Sequence, residues 1–208
     1  ALVSSHTIPV YTRSTGINPL TREGKKTCAF EIVEQLSFTV PDWIFVSVGD
    51  GNIISGLHKG FSELYELGII ERRPRLCAVQ STASNAVARA VFALPSGEVS
   101  PEKVEILPVK ATTRADSISV DRPRDGVAAV MAVRDSGGMA IEVADQEILE
   151  MIPLVARTSG IFGEPAGVAS VAGLRKALAQ GLIDSAERVV CVITGSGLKD
   201  TAAMLATV

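Results

Sequence analysis

Three short runs of this chain are apolar almost without a break, and nothing else in it constrains the fold so strongly. Trp43 to Val48, Leu76 to Val79 and Arg188 to Ile193 are rich in β-branched residues and lack the in-out alternation of a strand with one wet face. Runs of this kind are covered on both sides, as in a parallel sheet. Helical patterns lie between them. Ile53, Ile54, Leu57, Phe61, Leu64 and Tyr65 fall on one helical face, and Ile148, Ile152 and Val155 on another. Glu164-Pro165 opens a further helix with Val168, Val171, Ala172 and Leu178 on its buried side and Gly181 placed to stop it. Helices over about Glu23 to Leu36 and Ser84 to Ala93, and a Pro-rich connection from Pro95 to Pro101, complete the pattern. Strands alternating with helices predict an α/β fold, an open and mainly parallel sheet in three layers. The piece from Lys103 to Asp125 is expected to hold a strand and an active-site loop. At 208 residues and 47% hydrophobic, the chain suffices for one well-buried domain or most of a larger one.

Several kinds of chemistry are excluded by what is scarce. A net charge of −3, with basic and acidic residues interspersed, offers no basic stripe for nucleic acid. No apolar run approaches the roughly 18 residues of a membrane span, and the first residues lack a signal-peptide core, so no membrane partner and a cytoplasmic location are expected. Cys28, Cys77 and Cys191 are odd in number and widely spaced, which argues against structural disulfides. His6 and His58 have no Cys or Asp clustered near them, so a metal site has no ligand set, and His58 reads as a solvated helix residue. A hydrolase nucleophile would find no base beside it.

Two turns remain. Val46-Ser47-Val48-Gly49-Asp50-Gly51-Asn52-Ile53 takes a buried strand through glycines directly into an amphipathic helix, and Val192-Ile193-Thr194-Gly195-Ser196-Gly197-Leu198-Lys199-Asp200 repeats the arrangement near the end. Amides converging at a helix N-terminus cradle a phosphate without basic side chains. Either turn could also be glycine used only for tight geometry. The dinucleotide fingerprint lacks its third glycine and the Walker pattern its Gly-Lys-Ser/Thr, which leaves a phosphate-bearing cofactor other than a nucleotide.

Along its length the chain resembles the threonine synthases. The resemblance runs through Asn18-Pro19 with Glu23-Gly24-Lys25-Lys26-Thr27, Gly49-Asp50-Gly51-Asn52-Ile53 with Gly56 and Lys59-Gly60-Phe61, and Val79-Gln80. It continues in Ala115-Asp116-Ser117-Ile118, Glu164-Pro165-Ala166, and Thr194-Gly195 with Gly197-Leu198-Lys199-Asp200. It implies a fold type II pyridoxal-phosphate enzyme of the tryptophan-synthase-β type, incomplete at the amino-terminal side. Residues 1–208 would be a portion of the large, cofactor-binding domain, with 1–40 crossing from the smaller one. By the same resemblance Gly49, Asp50, Gly51, Asn52 and Ile53 hold the phosphate of pyridoxal 5'-phosphate, and the Thr194 hydroxyl faces the pyridine nitrogen, which a neutral partner leaves largely unprotonated. Ser14 and Asn18 would approach the substrate's phosphate. Glu164 would lie near the ring, or else be a solvated carboxylate at a helix start.

The activity so implied is conversion of O-phosphohomoserine and water to L-threonine and phosphate. The Schiff-base lysine is expected outside this chain, since none of the seven lysines stands in the family's context. Lys199 reads as a helix-start residue, and Lys25, Lys26 and Lys59 as solvated helix residues. The partner would be a phosphorylated amino acid, and the full-length protein a homodimer. Two alternatives stand beside this reading: another enzyme of the fold, such as cysteate synthase or threonine dehydratase, and a non-catalytic domain that binds a phosphorylated metabolite.

Overall fold

The computed structural model describes residues 18–95, 97, 99–201 and 203. Its centre, among the described residues, is a sheet of four strands, β1 (Trp43–Ser47), β2 (Arg75–Ser81), β3 (Met139–Val143) and β4 (Val189–Val192), in the order β3-β2-β1-β4. All three pairings are parallel. The expected runs form β1, β2 and β4, and the sheet is parallel because helices return the chain to the same end after each strand.

Among the described residues seven α-helices make the outer layers: α1 (Leu20–Lys25), α2 (Thr27–Gln35), α3 (Asn52–Glu66), α4 (Ala86–Ala93), α5 (Gly126–Asp135), α6 (Asp145–Ser159) and α7 (Pro165–Ala179). The pleat of the sheet divides the core between them. Ile44, Val46, Leu76, Ala78 and Ala140 point to the side of α2, α3, α4 and α5, packing on Ala29, Ile54, Leu57, Phe61, Val87 and Val130. Trp43, Phe45, Cys77, Val79, Ile141 and Val143 point the other way, onto Ile148, Ile152 and Val155 of α6 and Val168 and Ala172 of α7. Each fully buried Ile, Leu or Phe contributes about 1.5–3 kcal/mol of transfer free energy. α7 comes close enough to the sheet that a Cβ on Gly173 would overlap the Val79 side chain.

Several expectations need correction. The stretch from Lys103 to Asp125 contains no strand among the described residues; it is extended loop with short 3-10 turns at Pro101–Lys103 and Asp116–Ile118. β3 and α5 form beyond it, where no element was foreseen. Tyr65 and Leu178 are exposed, because each lies at the shoulder of its helix's buried stripe, and Val171 is only half-buried. His58 is not solvated: it is half-buried, its Nε2 has no hydrogen-bond partner, and burial holds the imidazole below its ordinary pKa, with Asp135 opposing and Arg73 reinforcing the shift. Lys26 is half-buried as well, and with Lys59 it bridges Glu23 and Glu63 at 2.8–3.2 Å, tying α1 to α3. Gly181 does follow the end of α7, with φ of 66°.

The cysteines are unpaired, and Cys77 and Cys191 flank Phe45 in the sheet register. Burial pushes the Cys77 thiol well up, with Cys191 adding to the shift, and pushes Cys191 up to about 12. Reactive thiolate at pH near 8 is then scarcer at Cys191 than at a free thiol by roughly a thousandfold. Alkylation of the native protein followed by mass spectrometry is expected to leave Cys77 and Cys191 unmodified until denaturant is added; free-thiol rates at either would mean that this half of the sheet opens.

Candidate functional site

The turn after β1 is shaped by two glycines, Gly49 and Gly51, in tight surroundings. Gly51 has φ of 94°, a left-handed conformation costly for any residue with a Cβ, and a Cβ there would stand 2.7 Å from the Ala129 Cβ. At Gly49 a Cβ would press on Ile118 Cα at 3.1 Å and Ser117 O at 3.2 Å. The turn therefore fits between α5 on one side and the loop holding Ser117 on the other. Asn52 then opens α3, a helix of 15 residues. A helix N-terminus of this length favours an anion through its unpaired amides and its dipole.

Asp125 stands behind this turn. Its buried carboxylate accepts from Ser55 Oγ at 2.6 Å and from Asn52 Nδ2 at 3.2 Å, and it pairs with Arg22 of α1. The Asp125 amide donates to Asp50 O at 2.9 Å, and the Arg124 amide to Asp50 Oδ1 at 3.0 Å. The Asp50 side chain is thus engaged with the Arg124 backbone, and what Asp50 can give an anion is its backbone N–H. Asp125 was missed in the sequence because it lies 73 residues from Asn52 and belongs to no local motif.

The second turn leaves β4, the neighbour of β1, at the same end of the sheet. It is laced to the start of α7: the Glu164 amide donates to Gly195 O at 2.9 Å and the Gly197 amide to Phe162 O at 2.9 Å. A Cβ on Gly195 would overlap the Glu164 carboxylate. Glu164 is therefore no solvated helix-start residue; it is 4% exposed, and Lys199 reaches its two oxygens at 3.1 and 3.2 Å. Lys199 itself lies in a 3-10 turn, Gly197–Lys199, and not in a long helix.

Both turns open into one cavity of about 660 Å³. Gly49, Asp50, Gly51, Asn52 and Ile53 form one side of it and Thr194 another, with Ser117, Ile118, Glu164 and Lys199 between them. Thr21, Gly24 and Lys25 of α1 reach it from a third direction, so Lys25 is a cavity residue as well as an exposed one. Asn18 is not among the lining residues: its side chain accepts from the Leu20 amide at 3.0 Å and begins α1. Ser14 lies outside the described residues. Gln80, which looks like an ordinary strand end, is 1% exposed and bridges the top of β1 to α4, donating to Val48 O and accepting from the Ala88 amide.

These residues fit pyridoxal phosphate. Gly49 to Ile53 stand at the N-terminus of α3 and line the cavity, and the backbone amides of a helix N-terminus are the donor set that a phosphate takes. The same cavity carries a neutral hydroxyl at Thr194. Among the described residues no group of His, Cys, Asp and Glu could hold a metal ion, and no helix is long and apolar enough to cross a membrane.

A sequence model of the family described as pyridoxal-phosphate dependent enzyme matches residues 2–195. The threonine synthase of Methanocaldococcus jannaschii is 42% identical over 184 residues, 88% of this chain and 44% of that protein. That of Mycobacterium tuberculosis is 37% identical over 192 residues, 92% of this chain and 49% of the other. The chain thus spans about half the length of the curated relatives it matches. Among solved structures, the processed form of threonine deaminase isoform 2 from Solanum lycopersicum superposes with a TM-score of 0.72 at 18% identity, over 91% of this chain and 49% of that one.

Replacing Asp125 by Ala would leave Arg22 without its partner and free the Asn52 side chain behind the turn. Loss of one partner from a largely buried pair costs on the order of 2–4 kcal/mol once the half-exposed Arg22 is allowed for. Asp125→Ala is expected to lower the denaturation midpoint accordingly, and a midpoint equal to that of the unsubstituted protein would show that the carboxylate is not what holds the turn.

Proposed function

The chain belongs to the family of pyridoxal-phosphate dependent enzymes, and on that premise we propose that it forms the cofactor-binding part of a threonine synthase. The reaction is conversion of O-phosphohomoserine and water to L-threonine and phosphate, a carbon–oxygen lyase chemistry. The observation that carries this reading is the meeting of the two glycine turns in one cavity, on neighbouring strands and at one end of the sheet. The identity to threonine synthases along 88–92% of the chain supports the choice of substrate.

When bound, pyridoxal phosphate supplies an electron sink that stabilises carbanions next to an amino group. This chain's part is to place it. The amides of Gly49 to Ile53 would take the phosphate, with α3 adding its dipole and Asn52 held in place by Asp125. Thr194, two residues beyond the last rung of β4, would set its hydroxyl against the ring nitrogen. The loop at Ser117 and Ile118, pressed onto Gly49, would exclude water from the phosphate side. Ser14 and Asn18 are proposed for the substrate's phosphate; for Asn18 the route is indirect, through the start of α1, which carries Thr21 and Lys25 to the cavity.

Residues 1–208 are read as part of the large domain, with 1–40 crossing from a smaller one. The Schiff-base lysine is placed outside the chain, and the whole protein is proposed to be a cytoplasmic homodimer. A pyridoxal-phosphate enzyme of the same fold acting on another amino acid is the competing reading, and the fold similarity to threonine deaminase accords with it.

Two measurements test this. Release of inorganic phosphate from O-phosphohomoserine, with threonine formed in equal amount, is expected of the whole protein; ammonia from threonine without phosphate release would transfer the assignment to a dehydratase. Gly51→Val, which meets both the positive φ and Ala129, is expected to weaken uptake of pyridoxal phosphate by about thirtyfold, since about two kcal/mol of strain and overpacking fall on the phosphate turn. Unchanged cofactor absorbance in that variant would remove the turn from the site.

A further inference from the structure

The wall between the second turn and α7 carries a charge arrangement that the cofactor reading leaves unused. Glu164 is 4% exposed, and its carboxylate lies against Gly195, the residue after Thr194. A bare carboxylate there would put a negative charge beside the place where a neutral hydroxyl is meant to meet the ring nitrogen. An opposite charge within about 4–6 Å favours a protonated base by about 1–3 pK units. Thr194 alone therefore does not make this pole neutral.

Lys199 supplies the missing compensation. Its ammonium is shared between both Glu164 oxygens at 3.1 and 3.2 Å, and the two side chains line both the main cavity and an adjoining one of about 220 Å³. In that adjoining cavity Lys199 is the one cation among the lining residues, facing Glu164, Asp116 and Asp200. In the main cavity the other charged groups are Lys25 and Asp50, and Asp50 is engaged with the Arg124 amide. Lys199 is held where it is by the turn itself, through its own amide to Ser196 O at 3.0 Å.

We propose that Lys199 is a positioning residue that holds and neutralises the Glu164 carboxylate, so that the carboxylate lying against Gly195 presents no uncompensated charge to the Thr194 pole and the cofactor's ring nitrogen stays unprotonated. The inference rests on the cofactor reading above. It also gives a physical reason for a Lys next to an Asp at the end of the second turn: the ammonium serves the carboxylate opposite, and Asp200 is occupied in accepting from the Ala203 amide at 3.0 Å.

The test uses the whole protein loaded with pyridoxal phosphate and follows the absorbance of the bound cofactor against pH, so that the readout is a titration and not turnover. Lys199→Met is expected to raise the midpoint of that titration by about half a unit to one unit, a threefold to tenfold gain in proton affinity, since the Lys199 side chain is 59% exposed and water screens part of its charge. Lys199→Arg keeps the charge and is expected to keep the midpoint. In Lys199→Met/Glu164→Gln the carboxylate is gone along with its partner, and the midpoint is expected to return to that of the unsubstituted protein. A denaturation curve on each variant reports any loss of folding separately. An unmoved midpoint in Lys199→Met overturns the proposal, and so does a double variant that stays as displaced as the single one, which is what a merely structural lysine would give. Failure of the unsubstituted protein to take up any cofactor would instead overturn the reading of the cavity.

Discussion

The Asp125 carboxylate joins, at one point behind the turn, three pieces of chain: Arg22 in α1, Asn52 at the start of α3, and its own place at the head of α5. Ser55, one turn into α3, adds a short hydrogen bond of 2.6 Å. A turn whose central glycine has positive φ is not self-supporting, because the conformation that leaves its amides free is one the unfolded chain loses little by abandoning. The bracket behind it fixes that conformation in advance, and the amides can then meet an anion without rearranging. Preorganisation of this sort is what converts weak backbone dipoles into a useful binding site.

The sheet does the corresponding work for the other turn. β1 and β4 are neighbours, with Val46 level with Val192, so the two turns start within a few residues of the same rung. The opposite end of these strands is clamped independently. The Arg188 amide donates to Asp42 Oδ2 and the Asp42 amide to Arg188 O, both at 2.8 Å, while the Arg75 guanidinium lies 4.3 Å from the Trp43 ring. Pinning that end keeps β4 in register although, among the described residues, it has β1 alone as a partner in the sheet.

How much of this the sequence discloses depends on how local each signal is. β1, β2 and β4 are legible because each carries four or more consecutive buried apolar residues or a β-branched run, and the glycine turns because each directly follows such a run. β3 is not, since Met-Ala-Ile-Glu-Val is short and interrupted by the half-exposed Glu142 of an edge strand. α5 begins at Asp125-Gly126 and is built of Val and Ala, residues whose periodicity is faint, so the helix blends into the loop before it. Glu164, Lys199 and Asp125 become a site only through contacts made 35 to 103 residues away, and no window of sequence contains both halves of such a pair. The family resemblance supplied the cofactor; only the packing assigns Asp125 and Lys199 anything to do.

The four-rung ladder between β1 and β4 has a consequence for which changes of length the chain can absorb. Sliding β4 by one residue would displace Thr194 by about 3.3 Å and turn its hydroxyl to the opposite face of the sheet, exchanging the two helix layers it could address. Insertions in the surface loop between α7 and β4 leave that alignment alone, whereas a single deletion inside Val189 to Thr194 inverts it. The strand acts as a vernier for the hydroxyl, and its tolerance to indels is expected to fall to nil over those few positions while remaining generous just upstream.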